Sequence, residues 1–177
     1  MSLQRMFSNT VVAGGYLAGF IGCALLLAAA YYFEYQLFLD PCPLCIVQRI
    51  ATMAIGIGCL LAFLSRNTRL PQLLSLLFTF ASSLFGIWIA HRHVWLQGLP
   101  ADEVPECGPS VEYMAEVLPF TELVAFMLQA SGSCADISWS FIGMSMPEWM
   151  QVVFVGFALV SALGLIRVLQ SIRSENA

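Results

Sequence analysis

PCPLCIVQRIATMAIGIGCLLAFLSR, residues 41–66, carries charge only at Arg49 and Arg66, and the stretch from Ile50 to Ser65 is uncharged. A helix rises about 1.5 Å per residue and needs about 20 residues to cross a hydrocarbon core of about 30 Å, so the interval between the two arginines is too short to span by itself. Starting the helix at Pro43 restores the length and takes Arg49 inside it. Pro suits the first helical position. That makes Cys42 the cap and points the free N–H groups and the positive end of the helix dipole at Cys42 and Cys45. Positions 42, 45 and 49 follow i, i+3, i+7 and share one face, with the guanidinium about one turn (~6 Å) deeper than Cys45.

Working outward, three more uncharged intervals have spanning length: Val11 to Phe33, the run after Pro71 up to His91, and the run between Glu148 and Arg167. The expected fold is all-α: an integral membrane four-helix bundle in a single membrane domain 1–177, with spans at about 11–33, 43–65, 70–90 and 149–167. One long non-cytoplasmic loop, about 91–148, carries a short interfacial helix. With 59% hydrophobic and 10% charged residues, neither a disordered chain nor a water-soluble globule fits. A net charge of -4 without a basic patch argues against nucleic acid as a partner.

The basic residues are seven arginines and no lysine. Four spans place Arg5, Arg66, Arg69, Arg167 and Arg173 on one side and Arg49 and Arg92 on the other, so the positive-inside rule puts both termini in the cytoplasm. Arg5, the apolar run and Ala28-Ala29-Ala30 imitate a secretory signal, but the run is longer than the ~7–15 residues of a signal core. Within the long loop, Leu118 to Leu128 is apolar but too short to span. It reads either as a helix lying in the interface, with Phe120, Phe126, Met127 and Leu128 on lipid and Pro119 breaking it, or as a small helix packed on the bundle.

This topology sorts the six cysteines. Cys23 and Cys59 fall inside spans and read as structural thiols. Cys42, Cys45, Cys107 and Cys134 fall on the non-cytoplasmic face, which in a bacterium is oxidising and permits disulfides. Zinc is disfavoured and no metal is expected: a structural site takes four ligands, and Cys107 with Cys134 lacks the spacing of a second knuckle. Two dithiol pairs on an oxidising face make a relay in which thiolates attack successive disulfides. No haem, flavin or iron–sulfur pattern offers an acceptor, so a quinone dissolved in the membrane is expected. Arg49 would stabilise negative charge on its oxygen and His93 would supply a proton or hydrogen bond.

Several stretches resemble the bacterial disulfide bond formation protein B (DsbB) family. They are Pro41-Cys42-x-Leu44-Cys45 followed by Arg49, the loop Cys107, Ser131 to Asp136 around Cys134, and Trp139-x-Phe141-x-Gly143-x-x-Met146-Pro147-x-Trp149. The similarity runs through all four spans, and Leu96-Gln97 selects His93 over His91 as the family's quinone-contacting histidine. The resemblance implies an enzyme of the bacterial inner membrane, a protein-disulfide:quinone oxidoreductase. It would reoxidise the periplasmic thioredoxin-fold oxidase DsbA and reduce ubiquinone or menaquinone, the system known to keep the periplasm oxidising. It further implies that Cys107 forms the mixed disulfide with the partner, that Cys134 passes the exchange to Cys42, and that Cys45 is the thiolate facing the quinone beside Arg49. Two other readings compete: a vitamin-K-epoxide-reductase-like quinone/dithiol enzyme, and a non-catalytic tetraspan with a disulfide-braced loop. Arg49 discriminates against the latter, which has no use for a cation beside Cys45.

Overall fold

The computed structural model describes residues 3–175 apart from 101, 105, 107, 110, 130 and 131. In chain order it contains α1 (Leu3–Leu37), α2 (Pro43–Leu64), α3 (Arg69–Gln97), α4 (Val111–Val117), α5 (Phe120–Gln129), a 3-10 turn (Gly132–Cys134), β1 (Ser140–Phe141), β2 (Met144–Ser145) and α6 (Met146–Glu175). Four helical stretches, Val12–Leu37, Pro43–Leu64, Arg69–Gln97 and Met146–Ser174, are long and apolar enough to cross a membrane. The protein is a multi-pass, all-α membrane bundle. α3 packs against α2 and α6, and α1 packs against α2.

Unlike a water-soluble bundle, this one is apolar on its outer face as well as in its core. Gln48, Thr52, Ser75, Thr79, Ser83, His93 and Ser161 are buried, while Leu25, Ile57, Leu74, Trp88, Val160 and Leu163 face outward. Lipid accepts that arrangement because apolar side chains have nothing to gain by leaving it, so helices associate through close packing and internal hydrogen bonds instead. The buried hydroxyls of α3 are satisfied by their own helix. Ser75 donates to Pro71 O at 2.8 Å, Thr79 to Ser75 O at 2.9 Å and Ser83 to Thr79 O at 2.8 Å. Two glycines set the interhelical distance. A Cβ on Gly58 would sit 2.2 Å from Thr79 Oγ1, and one on Gly86 would sit 2.8 Å from the ring of fully buried Phe154.

Helix ends decide what the bundle presents at its Cys42 end. α2 begins as the Pro-Cys-Pro pattern predicts, with Cys42 as the cap and Pro43 at the first position. α3 runs beyond the expected limit of residue 90 and ends at Gln97, with Gly98 as its C-cap and Pro100 two residues further on, because polar residues on an apolar helix do not break it. His91, Arg92 and His93 are therefore helical. Before α6, β1 and β2 pair antiparallel around Ile142 (φ 52°) and Gly143 (φ 75°), the positive angles that two-residue hairpin turns demand. The Ser145 N–H donates to the Glu148 carboxylate at 2.6 Å, and Ser145 Oγ donates to Gln97 Oε1 at 2.7 Å. The start of α6 is thus capped and tied to the end of α3.

The short apolar helix is present as α5. Met127 and Leu128 pack against the cluster of Cys42, Leu44, Val47, Ile89, Leu96 and Cys134. Both residues stay only partly buried, and Phe120 at the far end is exposed, so α5 packs on the bundle and keeps an apolar outer surface. Arg92 gains a role that the sequence left open: its guanidinium donates to Gln129 O at 3.2 Å, at the negative end of α5.

Candidate functional site

The C-x-x-C sits where a helix begins, and the helix geometry acts on it directly. The Cys42 sulfur accepts the Cys45 backbone N–H at 3.3 Å, one of the donors that a helix start leaves free. The Cys42 thiol in turn donates toward the Cys45 sulfur, 2.8 Å away. Cys134, fully buried at the end of its 3-10 turn, packs in the same cluster. Its hydrogen bond with Cys42, then that of Cys45, then burial, push the Cys42 thiol above the ordinary value.

His93 arrives from α3, at 3% exposure. Its Nε2 lies 3.7 Å from Cys42 Sγ, and its Nδ1 lies 3.0 Å from the amide nitrogen of Gln48 on α2. His91, two residues earlier, faces outward. The donor atoms of Cys42, Cys45 and His93 all lie within 4.8 Å of one another. The elimination of metal from cysteine spacing counted only cysteines in sequence, and the fold adds a histidine from another helix.

Arg49 occupies the depth expected of it but is not a bare cation. Its guanidinium pairs with the Glu34 carboxylate near the end of α1, donates to Ala30 O at 3.2 Å and lies 5.1 Å from the centre of the Tyr31 ring. Ionisable groups in a span pair with one another or with carbonyls, and this one does both. A purely structural protein could use such a tether, so the weight that the sequence placed on Arg49 as a discriminator moves to the thiols and His93. Sequence reading used Glu34 only as the boundary of a span. The available signal was a lone acid at the end of one apolar segment and a lone arginine at the start of the next.

Cys42, Cys45, Gln48, Arg49 and His93 line one cavity of about 340 Å³. Leu26, Ala30 and Phe33 of α1 and Met150 of α6 make its apolar walls. At its rim four aromatic rings follow one another: Phe33 to Trp139 at 5.4 Å, Trp139 to Phe141 at 6.0 Å and nearly parallel, and Phe141 to Trp149 at 6.2 Å. The Trp149 indole N–H donates to Phe141 O at 3.1 Å, fixing the last of them. The lining is mainly apolar and aromatic, with Cys45 and Arg49 among its polar residues.

Of the four cysteines singled out by sequence, three meet here. Cys107 lies outside the described residues. The neighbouring Glu106 carbonyl accepts the Gly132 N–H at 3.3 Å, at the start of the turn that holds Cys134. Cys23 and Cys59 belong to a separate buried cluster with Ala51, Ile55, Ala90 and Phe154.

Residues 13–164 match the family model described as disulfide bond formation protein DsbB. Among curated proteins, the chain is 41% identical over 155 residues to a protein of Stutzerimonas stutzeri, covering 86% of this chain and 93% of that one. It is 44% identical over 143 residues to one of Nitrosococcus oceani, covering 81% and 85%. It is 43% identical over 148 residues to one of Methylococcus capsulatus, covering 84% and 90%. All three are named disulfide bond formation protein B.

Proposed function

The chain belongs to the DsbB family of disulfide-forming membrane proteins, and from that premise we propose that it is a protein-disulfide:quinone oxidoreductase of the bacterial inner membrane. It takes electrons from a periplasmic, DsbA-like thioredoxin-fold dithiol oxidase and delivers them to ubiquinone or menaquinone. Both termini face the cytoplasm, on the side where five of the arginines fall, and the four cysteines open toward the periplasm.

The observation that carries this reading is the shared cavity: a helix-capped dithiol, a histidine and an arginine all face one apolar, aromatic-rimmed space of about 340 Å³. A quinone bound there supplies a two-electron, two-proton acceptor. The chain's own residues do the rest. In the proposed relay, a partner thiolate attacks Cys107 of a Cys107–Cys134 disulfide, so that the mixed disulfide forms as Cys134 is released, and Cys134 then attacks Cys42 of the Cys42–Cys45 disulfide, whose sulfur it already contacts in the buried cluster. That attack breaks the Cys42–Cys45 bond and releases Cys45 as the leaving thiolate beside the N–H groups of the helix start. The partner's second thiolate resolves the mixed disulfide and frees Cys107, which attacks Cys134 and re-forms the Cys107–Cys134 bond, releasing Cys42; His93 Nε2, 3.7 Å away, is placed to donate a hydrogen bond to the departing sulfur. Arg49, held by Glu34 and Ala30, stands where negative charge develops in the cavity. When Cys42 and Cys45 rejoin, one S–S bond forms and two electrons and two protons pass to the acceptor.

The test is anaerobic. The purified protein is reduced, freed of reductant and titrated with ubiquinone while free thiols are counted. Two thiols should disappear per quinone consumed, and an undiminished thiol count would overturn the proposal.

A further inference from the structure

Three donor atoms from two helices, Cys42 Sγ, Cys45 Sγ and His93 Nε2, converge within 4.8 Å at the wall of a cavity. We propose that the reduced dithiol, with His93, is a redox-gated binding site for a thiophilic d10 dication, zinc in the cell and cadmium as its probe. In tetrahedral zinc sites, with Zn–S near 2.3 Å and Zn–N near 2.0–2.1 Å, neighbouring donors stand about 3.5–3.8 Å apart. Cys42 Sγ and His93 Nε2 are 3.7 Å apart. The two sulfurs, at 2.8 Å, have to open by about 1 Å, and Cys45, fronting the cavity, has the space to turn.

Charge and softness favour the same occupant. Two thiolates, one neutral imidazole and one dication sum to zero, so filling the site leaves no net charge among apolar walls. Thiolate and imidazole donors select zinc-like ions over magnesium or calcium. Metal-bound histidines hand their other ring N–H to an outer acceptor. Gln48, whose amide already meets His93 Nδ1 at 3.0 Å, accepts that proton once its carbonyl end turns inward. Binding exchanges two thiol protons for the metal and moves no electrons. The disulfide form offers no thiolate, so the site exists only while the pair is reduced. If the proposed relay operates, bound metal withholds both sulfurs from it and zinc acts as its inhibitor.

The measurement uses full-length protein in detergent, free of quinone and partner, reduced with a phosphine that does not compete for metal, and titrated with cadmium ion. Thiolate-to-cadmium absorption should rise to one equivalent per chain and vanish after oxidation. It should weaken about tenfold or more in His93→Ala and in Cys42→Ser, and stay unchanged in Cys23→Ala. Should a variant fail to fold, alkylation of the wild type gives a second readout, in which cadmium must protect Cys42 and Cys45 and leave Cys23 and Cys59 as they were. Cadmium binding that survives oxidation, that is undiminished in His93→Ala, or that protects the wrong cysteines overturns the proposal. Because no quinone is present, the metal site and the quinone reaction stand or fall separately.

Discussion

Cys42 and Cys23 are both buried thiols on the same bundle, and their surroundings could hardly differ more. Cys23 sits among Ala51, Ile55, Cys59, Ala90 and Phe154, in a cluster where a Cβ added at Gly19 or Gly56 would come within 3.1 Å of Cys59 Sγ or Cys23 Cβ. Cys42 meets a helix N-terminus, a second thiol, a third thiol from the loop, an imidazole and an open cavity. Burial is common to both, so burial alone does not make a cysteine reactive. What differs is whether a thiolate would find donors and whether a reactant could reach it.

The contrast breaks most visibly at Cys45. Cys45→Ser should reduce quinone-coupled thiol oxidation by about a thousandfold or more, roughly 4 kcal/mol of barrier, while the protein still inserts and elutes as the wild type does. Wild-type turnover would erase the distinction between the two regions. At mid-bundle the expected damage is to stability. Gly86→Val forces a branched side chain onto the Phe154 ring and should lower stability in detergent by about 1–3 kcal/mol, read as a drop in the thermal midpoint, with cadmium-free thiol chemistry retained below it. A smaller change is expected at the cavity's polar end. Arg49→His should raise the apparent KM for quinone about tenfold, close to 1.4 kcal/mol, with kcat little altered. An unchanged KM would make the Glu34 pair purely an anchor for α2. Smallest of all, Cys23→Ala should leave quinone reduction within about twofold, since a thiol in that packed cluster behaves as a small apolar group. A large loss there would mean that the middle of the bundle takes part in the chemistry.

How much of the site could be read in advance depended on range along the chain. The cap at Cys42, the Pro43 start and the shared face of Cys42, Cys45 and Arg49 follow from helical spacing within nine residues, and the structure reproduces them. The pairing of Arg49 with Glu34 crosses from α2 to α1, and that of Gln48 with His93 crosses from α2 to α3. Neither has a periodic signature, because the meeting point depends on helix rotation and depth. The same holds for α5. An eleven-residue apolar stretch is equally content in an interface or against protein, and the contact of Met127 and Leu128 with Leu44, Val47 and Leu96 exists only in the assembled bundle. Trp139, Phe141 and Trp149 were legible as a pattern, but the hairpin that brings Phe141 between the two indoles in the cavity lining was not.

By itself the sequence determined the solvent, the number of spans and the cysteine pair at the start of α2. Each rests on a local quantity: the length of an uncharged run measured against the bilayer, the position of a proline, and the i, i+3 spacing of two cysteines. Tertiary structure alone decided which partners those groups found: Glu34 for Arg49, Gln48 and Cys42 for His93, and Cys134 for Cys42. In lipid the apolar stripe no longer dictates which face turns inward. The rotation of each helix is set instead by the close fit of glycines such as Gly58 and Gly86 and by buried polar groups seeking one another, and those contacts exist only once all four helices are in place.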